Sequence, residues 1–356
     1  MNDLSFVNTN EPVTRLALSF RVTGSSCITL YNIHMKNFWK ELPKPFTVLA
    51  PMEDVTDIVF RKIIDEIAAP DVYFTEFVNC EGLVSEGKKA LIHRLMKTTK
   101  ESLNTKKPVV AQIWGLDPIN FKAVAKMAEE MGFDGVDINM GCPQRNVTKT
   151  GACSALIKNP DLAQKIIQAT KEGAKNIPVS VKTRIGFNKI ATEEWLEFLL
   201  QQNLSAITVH LRTTKEQSLV PAHWEEMGKI VQLRNKLAQD TVIIGNGDLQ
   251  NYSDVSNKCK EYSMEGGMIG RGIFKNIQAF DKNNYTELNQ EQRINLCKKH
   301  VQLFAETWNN IKKYEILKKY YKIYINGFEG AKELRNALME TKSPEEALNI
   351  LLSSND

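Results

Sequence analysis

The chain lacks the sequence features of membrane proteins, disulfide-stabilised proteins and zinc-binding modules. No apolar run approaches the length of about 18 residues that indicates a transmembrane helix. The six cysteines stand at positions 27, 80, 142, 153, 259 and 297, without a CxxC pair or a spacing typical of metal ligands. Scattered thiols of this kind are typical of the reducing cytoplasm. We therefore predict a cytoplasmic protein that has neither a membrane-spanning segment nor a metal site.

A strong excess of charge of one sign is also absent. The 356 residues carry a net charge of only +4, and 42% of them are hydrophobic and 25% charged. These proportions are ordinary for a soluble globular protein, and the length allows one large domain and one small one. Because the chain is not a polycation, contact with nucleic acid would require a local cluster of lysine and arginine.

The chain begins without periodicity and then alternates between strand and helix patterns. Residues 1–36 carry little periodicity, and we interpret residues 1–40 as an extension without an assigned function. From residue 46 onward, short apolar runs alternate with helical patterns, which favours a parallel sheet built from βα units. The eight predicted strands are 46–51, 72–77, 109–114, 135–140, 179–183, 206–210, 242–245 and 267–269.

Eight βα units over roughly 230 residues match the size of a (β/α)8 barrel. We therefore predict a TIM barrel over residues 41–284. An open, doubly wound sheet is the alternative, but no GxGxxG motif follows the first strand. After residue 285 no strand pattern remains, and helices are predicted at 293–309, 312–325, 330–340 and 344–352. Residues 285–356 are thus predicted to form a small all-α domain.

The predicted helical domain contains a local cluster of basic residues. Between positions 293 and 335, ten lysines and arginines stand against four glutamates, a local excess of +6. Four tyrosines are interleaved with the lysines: Tyr314, Tyr320, Tyr321 and Tyr324. Tyrosines among lysines suit phosphate contacts combined with base stacking, as in the recognition of structured RNA. A solvated helix face is the alternative interpretation of these lysine pairs.

One cysteine lies where a chemical role is expected. Cys142 follows an apolar strand and is held in a turn by Gly141 and Pro143. In an α/β barrel the loops at the carboxyl ends of the strands form the active site, so this thiol is placed to meet a substrate. The alternative is a small buried packing residue, since free cysteine is among the most buried residue types. We interpret Cys153, in the same loop region, as such a packing residue.

The other strand ends carry residues suited to a flavin. The turn at Pro51 and Met52 is apolar, and the glycines after the last two strands allow backbone N–H groups to approach a phosphate. Each residue alone is more often structural, but structural accident explains poorly why polar groups follow six or seven successive strands. The polar and glycine residues at these strand ends are Gln112, Asn139, Lys182, His210, Arg212, Asn246, Gly247, Asp248, Gly270 and Arg271.

With these residues, the sequence resembles the tRNA-dihydrouridine synthase family. The segments that carry the resemblance are APMEDVTD at 50–57, QIWG at 112–115, NMGCP at 139–143, VKTR at 181–184, HLRT at 210–213, NGD at 246–248, GRG at 270–272 and GFEGAKELR at 327–335. They occur in order from about residue 46 to the C-terminus. NMGCP and the first segment are specific, whereas NGD and GRG are general to barrels that bind FMN.

The resemblance implies a barrel that binds FMN, a helical domain that helps to hold tRNA, and NADPH as the hydride donor. Hydride from reduced FMN would go to C6 of a uridine, and Cys142 would protonate C5 from the opposite face. The implied FMN contacts are Pro51, Met52, Gln112, Lys182, His210, Asn246, Gly247, Asp248, Gly270 and Arg271. The implied substrate contacts are Asn139, Arg212, Lys318, Lys319 and Lys322.

Two consequences follow from this chemistry. Cys142 has to arrive protonated, so we expect its pKa to lie near the ordinary value of about 8.5. The target base is stacked inside folded tRNA and has to be flipped into the pocket.

Two other functions remain as alternatives. An FMN barrel oxidoreductase acting on a small enone or pyrimidine would share the phosphate site but would not need the basic helical domain. An RNA-binding chaperone without turnover would have a broken set of strand-end residues, and none is broken. No obligate protein partner is evident, and a monomer is the simplest expectation.

Overall fold

The computed structural model describes residues 37–96, 106–283, 287–309 and 311–354. Residues 1–36 of the predicted extension therefore lie outside the described part of the chain. The described strands are β1 (Phe46–Leu49), β2 (Tyr73–Phe74), β3 (Val78–Asn79), β4 (Val109–Trp114), β5 (Gly135–Met140), β6 (Val179–Arg184), β7 (Ala206–His210), β8 (Val242–Asn246) and β9 (Gly266–Ile269).

The strands form a parallel barrel. Their order is β1-β9-β8-β7-β6-β5-β4-β2. The short strands β2 and β3 both pair with β4 and together occupy one strand position of the barrel. A bridge between Val48 and Val72 brings β1 alongside β2, and Leu49 N–H donates to the Val72 carbonyl at 3.1 Å. The predicted (β/α)8 barrel is therefore confirmed, with the second strand split in two.

Helices flank the strands and continue beyond the last one. They are α1 (Phe38–Glu41), α2 (Ile58–Ala68), α3 (Cys80–Leu83), α4 (Lys88–Leu91), α5 (Pro118–Glu130), α6 (Arg145–Thr148), α7 (Pro160–Gly173), α8 (Thr192–Leu200), α9 (Glu225–Leu237), α10 (Tyr252–Tyr262), α11 (Gln290–Trp308), α12 (Glu315–Tyr324), α13 (Ala331–Glu340) and α14 (Pro344–Ser353). None of these described helices is both long enough and apolar enough to cross a membrane.

Short side chains determine where several helices begin. The Asn159 side chain accepts from Leu162 N–H at the start of α7, and Ser343 accepts from Glu346 N–H at the start of α14. In both helices proline follows the cap. The N–H at this first helical position has no partner within a helix, so proline can stand there without loss of a hydrogen bond. The start of α14 agrees with the helix predicted at 344–352.

Aromatic residues close the amino-terminal end of the barrel. Trp39 of α1 is fully buried, and its ring centroid lies 6.1 Å from that of Phe46 and 6.3 Å from that of Phe74. This apolar cluster seals the end opposite the loops that follow the strands. The other end of the barrel is left for polar residues.

The C-terminal helices pack on the barrel through α2. The Phe60 ring of α2 stacks on His300 of α11 at 6.0 Å between centroids and meets Tyr320 of α12 at 5.1 Å. Three of the four tyrosines predicted to stack on RNA lie in this core: Tyr320, Tyr321 and Tyr324 are each 1% exposed. For these three the prediction is wrong, because they occupy the apolar face by which α12 packs against its neighbours. Tyr314, just before α12, is half-buried, and its stacking on RNA stays a prediction.

We predict that Gly173→Ala destabilises the fold by about 1–3 kcal/mol. A Cβ on this last residue of α7 would lie 2.2 Å from the Lys122 carbonyl oxygen and 2.9 Å from Ala125 Cβ, both in α5. The matched control is Gly228→Ala in α9, where an added Cβ has Tyr262 Cδ1 as its nearest neighbour at 3.8 Å.

The control variant should gain stability, by about 0.5–1 kcal/mol, because alanine favours a helix interior over glycine. Urea unfolding followed by circular dichroism measures both free energies. Equal stability of Gly173→Ala and the unchanged protein would contradict the close packing of α5 on α7.

Candidate active site

The strand register brings the predicted site residues to one rim of the barrel. Asn139 of β5 lies beside Lys182 of β6, and His210 of β7 lies beside Asn246 of β8. All strands are parallel, so these residues meet at the carboxyl ends of the strands.

A cavity of about 450 Å³ opens at this rim. It is lined by Ala50, Pro51, Met52, Lys182, His210, Arg212, Ser218, Asn246, Gly247, Asp248, Leu249, Gln250, Met268, Gly270, Arg271, Gly272 and Lys275. Nine of the ten predicted cofactor contacts are among them, and Gln112 is the exception. Sequence reasoning missed Ser218, Gln250 and Lys275, although all three stand in loops that follow the last three strands.

The cavity lining combines apolar and cationic side chains. Met52 is one of the apolar residues, and Lys182, Arg271 and Lys275 are cations. The lining includes a single carboxylate among the described residues, that of Asp248, which is paired with Arg212 and lies 3.6 Å from Arg271 Nη2. Because cations outnumber this carboxylate, the cavity suits an anionic ligand with an apolar part.

His210 is a neutral hydrogen-bonding group in this cavity. Burial, followed by the charges of Arg184 and Lys182, holds the pKa of His210 well below its ordinary value. A nitrogen of the Arg212 guanidinium lies 3.0 Å from His210 Nε2. Since the guanidinium can only donate, Nε2 accepts and the ring proton sits on Nδ1. His210 therefore offers one N–H donor and no charge.

Lys182 is a partly buried cation that lines the same cavity. Its Nζ donates to Asn246 Oδ1 at 3.2 Å, and Asn246 Nδ2 donates to the Met268 carbonyl at 2.8 Å. Burial lowers the pKa of Lys182 to about 8, so the ammonium group is retained at neutral pH. A bound anion would raise the pKa of Lys182 and keep the side chain protonated.

A chain of buried hydrogen bonds runs beneath the cavity. Ser180 Oγ donates to Asp137 Oδ1 at 2.6 Å, and Gln112 Nε2 donates to Asp137 Oδ2 at 2.8 Å. Asn139 Nδ2 then donates to Gln112 Oε1 at 3.0 Å. Burial raises the pKa of Asp137 to about 6, so its carboxylate is ionised at neutral pH. An ionised carboxylate only accepts, which fixes the orientation of both amides.

Sequence reasoning missed Asp137, although the strand pattern contains a signal for it. In β5 the polar Asp137 and Asn139 alternate with Val136, Ile138 and Met140. Alternation with period two places the polar pair on one face of the strand and the apolar set on the other. The polar face points into the barrel, where Asp137 is fully buried.

Asn139 holds the loop that carries Cys142. Its Oδ1 accepts from Gly141 N–H at 3.0 Å and from Cys142 N–H at 2.9 Å. Arg184 Nε donates to the Gly141 carbonyl at 2.7 Å from the neighbouring strand. In the structure the Asn139 side chain thus positions the thiol, and its contact with substrate stays a prediction.

The pKa of Cys142 differs from the sequence expectation. A hydrogen bond from the Cys153 thiol lowers the pKa of Cys142 to about 7, even though burial opposes the shift. The backbone N–H of Gln144 adds to the lowering, whereas the Glu53 carboxylate raises the pKa. The expected value near 8.5 is therefore wrong, because Cys153 is a hydrogen-bond partner and more than a packing residue.

The remaining predicted substrate contacts lie at the edge of the site or on α12. Arg212 is buried and bonds to the Val220 carbonyl as well as to His210 and Asp248. Lys318 Nζ donates to the Met339 carbonyl at 2.7 Å, and Lys319 Nζ donates to the Asp54 carbonyl at 3.1 Å. Lys319 and Lys322 are exposed. Contact of these residues with RNA stays a prediction.

Comparison with known proteins identifies similar sequences and folds. The sequence model of the family described as "Dihydrouridine synthase (Dus)" matches residues 48–355. A protein of Staphylococcus aureus (strain COL) named "Probable tRNA-dihydrouridine synthase" is 44% identical over 319 residues, which cover 89% of this chain and 95% of that protein. "Probable tRNA-dihydrouridine synthase 2" of Bacillus subtilis (strain 168) is also 44% identical, and the match covers 96% of its length.

Among solved structures, the histamine dehydrogenase from Rhizobium sp. 4-9 has a similar fold. The TM-score is 0.50 at 12% sequence identity, over 72% of this chain. The match spans about half of that longer protein (48%). At this level of identity the similarity extends to the barrel fold alone.

We predict that alkylation of Cys142 by iodoacetamide has its pH midpoint at about 7, the pKa of the thiol. Only the thiolate reacts, and burial raises the pKa of Cys80, Cys153, Cys259 and Cys297. In Cys153→Ala the hydrogen bond that lowers the pKa is lost, so the midpoint moves to higher pH. The rate at neutral pH should then fall by roughly three- to tenfold.

Mass spectrometry of the modified peptide measures the rate at each pH, and Cys142→Ala provides the background. An unchanged midpoint in Cys153→Ala would show that the neighbouring thiol does not stabilise the Cys142 thiolate.

Proposed function

Because this chain belongs to the dihydrouridine synthase family, we propose that it reduces the C5–C6 double bond of a uridine in tRNA. The observation that carries the proposal is the position of the Cys142 loop on the same barrel rim as the cationic cavity. This arrangement offers a proton donor beside a site for an anionic, partly apolar cofactor.

The cofactor that suits the cavity is FMN. The donor set supports this choice, since Lys182, Arg271 and Lys275 provide positive charge for a phosphate and Met52 provides an apolar surface for a ring. When bound and reduced by NADPH, FMN supplies a hydride for C6 of the uridine. The chain's own contribution is to hold the cofactor, with Lys182 opposing the negative charge of a reduced ring.

Cys142 is the proton donor to C5 in this proposal. Its backbone N–H is fixed by Asn139, so the thiol is presented from a rigid turn. With a pKa of about 7, an appreciable fraction of Cys142 is protonated at neutral pH and ready to donate. The donated proton can be replaced from solvent, because the side chain is only half-buried.

The C-terminal helices contribute to tRNA binding in this proposal. Lys318, Lys319 and Lys322 lie on α12, which packs on the barrel beside the loop that follows β1. Cations there can neutralise phosphates. The proposed setting is a cytoplasmic monomer.

The proposed function is tested by an anaerobic absorbance titration of the purified protein. Flavin bands should bleach on addition of NADPH and return on addition of unmodified tRNA, but not with tRNA already fully modified. Reoxidation by a small enone and not by tRNA would favour an oxidoreductase of small molecules. A colourless protein that takes up no added FMN would rule out the flavoenzyme and leave RNA binding as the better explanation.

A further inference from the structure

The loop that follows β1 forms one side of the active site. We define the β1 loop as residues 50–57, between β1 and α2. Its Met52 lines the cavity. Its next residue, Glu53, carries a carboxylate whose charge raises the pKa of Cys142, and Glu53 Oε1 accepts from Arg94 Nη1 at 2.6 Å. The conformation of this loop consequently affects both the cofactor cavity and the proposed proton donor.

The β1 loop is fixed by hydrogen bonds from two sides. Asp54 has φ of +55°, a left-handed conformation that few residues other than glycine, asparagine and aspartate adopt. Within the barrel, Asp54 N–H donates to Glu76 Oε1 at 2.7 Å. The carbonyls of Asp54 and Val55 are bonded from outside the barrel.

The outside partners belong to α12. The Tyr320 hydroxyl lies 2.6 Å from the Val55 carbonyl and 3.0 Å from the Asp54 carbonyl, and donates to them. Lys319 Nζ lies 3.1 Å from the same Asp54 carbonyl. Tyr320 is buried, at 1% exposure, so water cannot readily replace its hydroxyl.

A buried ion cluster joins the same two parts of the chain. Lys312 Nζ donates to Asp57 Oδ2 at 3.1 Å and to Glu76 Oε2 at 2.9 Å. All three side chains are buried, and without Lys312 both carboxylates would lose the cation that is hydrogen-bonded to them. Asp57 also caps α2, and Glu76 is the residue that holds Asp54 N–H. The charge that stabilises the end of the β1 loop therefore comes from the C-terminal helical region.

We propose that Tyr320 is a positioning residue for the active site, assisted by Lys319 and Lys312. Through these side chains, the C-terminal helical region holds the β1 loop so that Met52 lines the cavity and Glu53 keeps its position relative to Cys142. The helical region thus completes the catalytic site as well as contributing to tRNA binding. The inference draws on the proposed function for the identity of the cofactor, but the contacts of Tyr320, Lys319 and Lys312 with the β1 loop and its end do not depend on it.

The decisive variant is Tyr320→Phe, which removes the hydroxyl and keeps the ring. Its matched control is Tyr324→Phe. Tyr324 lies one turn further along the same helix and is equally buried, but its hydroxyl bonds to His300 Nδ1 at 2.8 Å within the helical region. A second pair of variants at exposed or half-buried positions tests the inference if Tyr320→Phe does not fold. Lys319→Gln loses a contact to the β1 loop, whereas Lys318→Gln loses a contact to Met339 within the helical region.

Two readouts report on the β1 loop. The first is the pH midpoint for alkylation of Cys142 in the protein without added flavin or tRNA, which should fall when Glu53 moves away from the thiol. The second is the affinity for FMN, measured by quenching of FMN fluorescence, which should weaken by about three- to tenfold, the effect of losing one buried hydrogen bond. Tyr320→Phe should change both, and Lys319→Gln should change both in the same direction by less.

The control variants decide between positioning and general destabilisation. Tyr324→Phe and Lys318→Gln should keep the alkylation midpoint and FMN affinity of the unchanged protein, even where Tyr324→Phe lowers the melting temperature. Unchanged readouts in Tyr320→Phe, or equal changes in Tyr324→Phe, would overturn the inference. If the unchanged protein binds no FMN, the proposed function fails, and the alkylation readout still tests the inference by itself.

Discussion

The active site depends on the side chain of Asn139, which is hydrogen-bonded to the loop that carries the Cys142 thiol. One amide oxygen accepts two backbone N–H groups of that loop, and the amide nitrogen is bonded to Gln112. The orientation of this amide is in turn fixed by Asp137, a buried carboxylate that can only accept. A single ionised group inside the barrel therefore determines which atoms of two amides face the thiol loop, and the low polarity of the interior makes each of these bonds costly to lose.

The closed barrel places the residues of the site, because the strand register determines which side chains meet at its rim. Parallel strands bring Lys182, His210 and Asn246 to one rim of the barrel, so the cavity is lined by residues far apart in the chain. Burial then adjusts their charges: it keeps His210 neutral and lowers the pKa of Lys182 to about 8. The thiol follows the neighbouring strand, β5, and the largest effect on its pKa comes from Cys153. The cofactor cavity and the thiol are thus built on one frame, and the charges of Cys142 and Lys182 influence each other.

Much of this was predictable from the sequence, because local patterns determine it. Strand and helix positions follow from apolar periodicity and from caps such as Asn159, and the cavity lining follows from the polar residues at strand ends. The tyrosines of α12 were misjudged, although their spacing of three and four residues is that of a buried helix face. The role of Cys153 was not predictable, since it depends on a chain turn with φ of +53° that returns its thiol to Cys142. Contacts between the β1 loop and α12 join residues more than 250 apart in sequence, and no local pattern indicates them.

In the proposed reaction, Cys142, held by Asn139, gives the proton that completes reduction of uridine. A single-turnover experiment tests this role: protein reduced by NADPH is mixed with unmodified tRNA, and dihydrouridine is counted by mass spectrometry of the nucleosides. Cys142→Ala should bind FMN and be reduced like the unchanged protein, yet form dihydrouridine at least about a hundredfold more slowly, the usual contribution of a general acid. Formation of dihydrouridine by Cys142→Ala at the unchanged rate would show that Cys142 is not the proton donor.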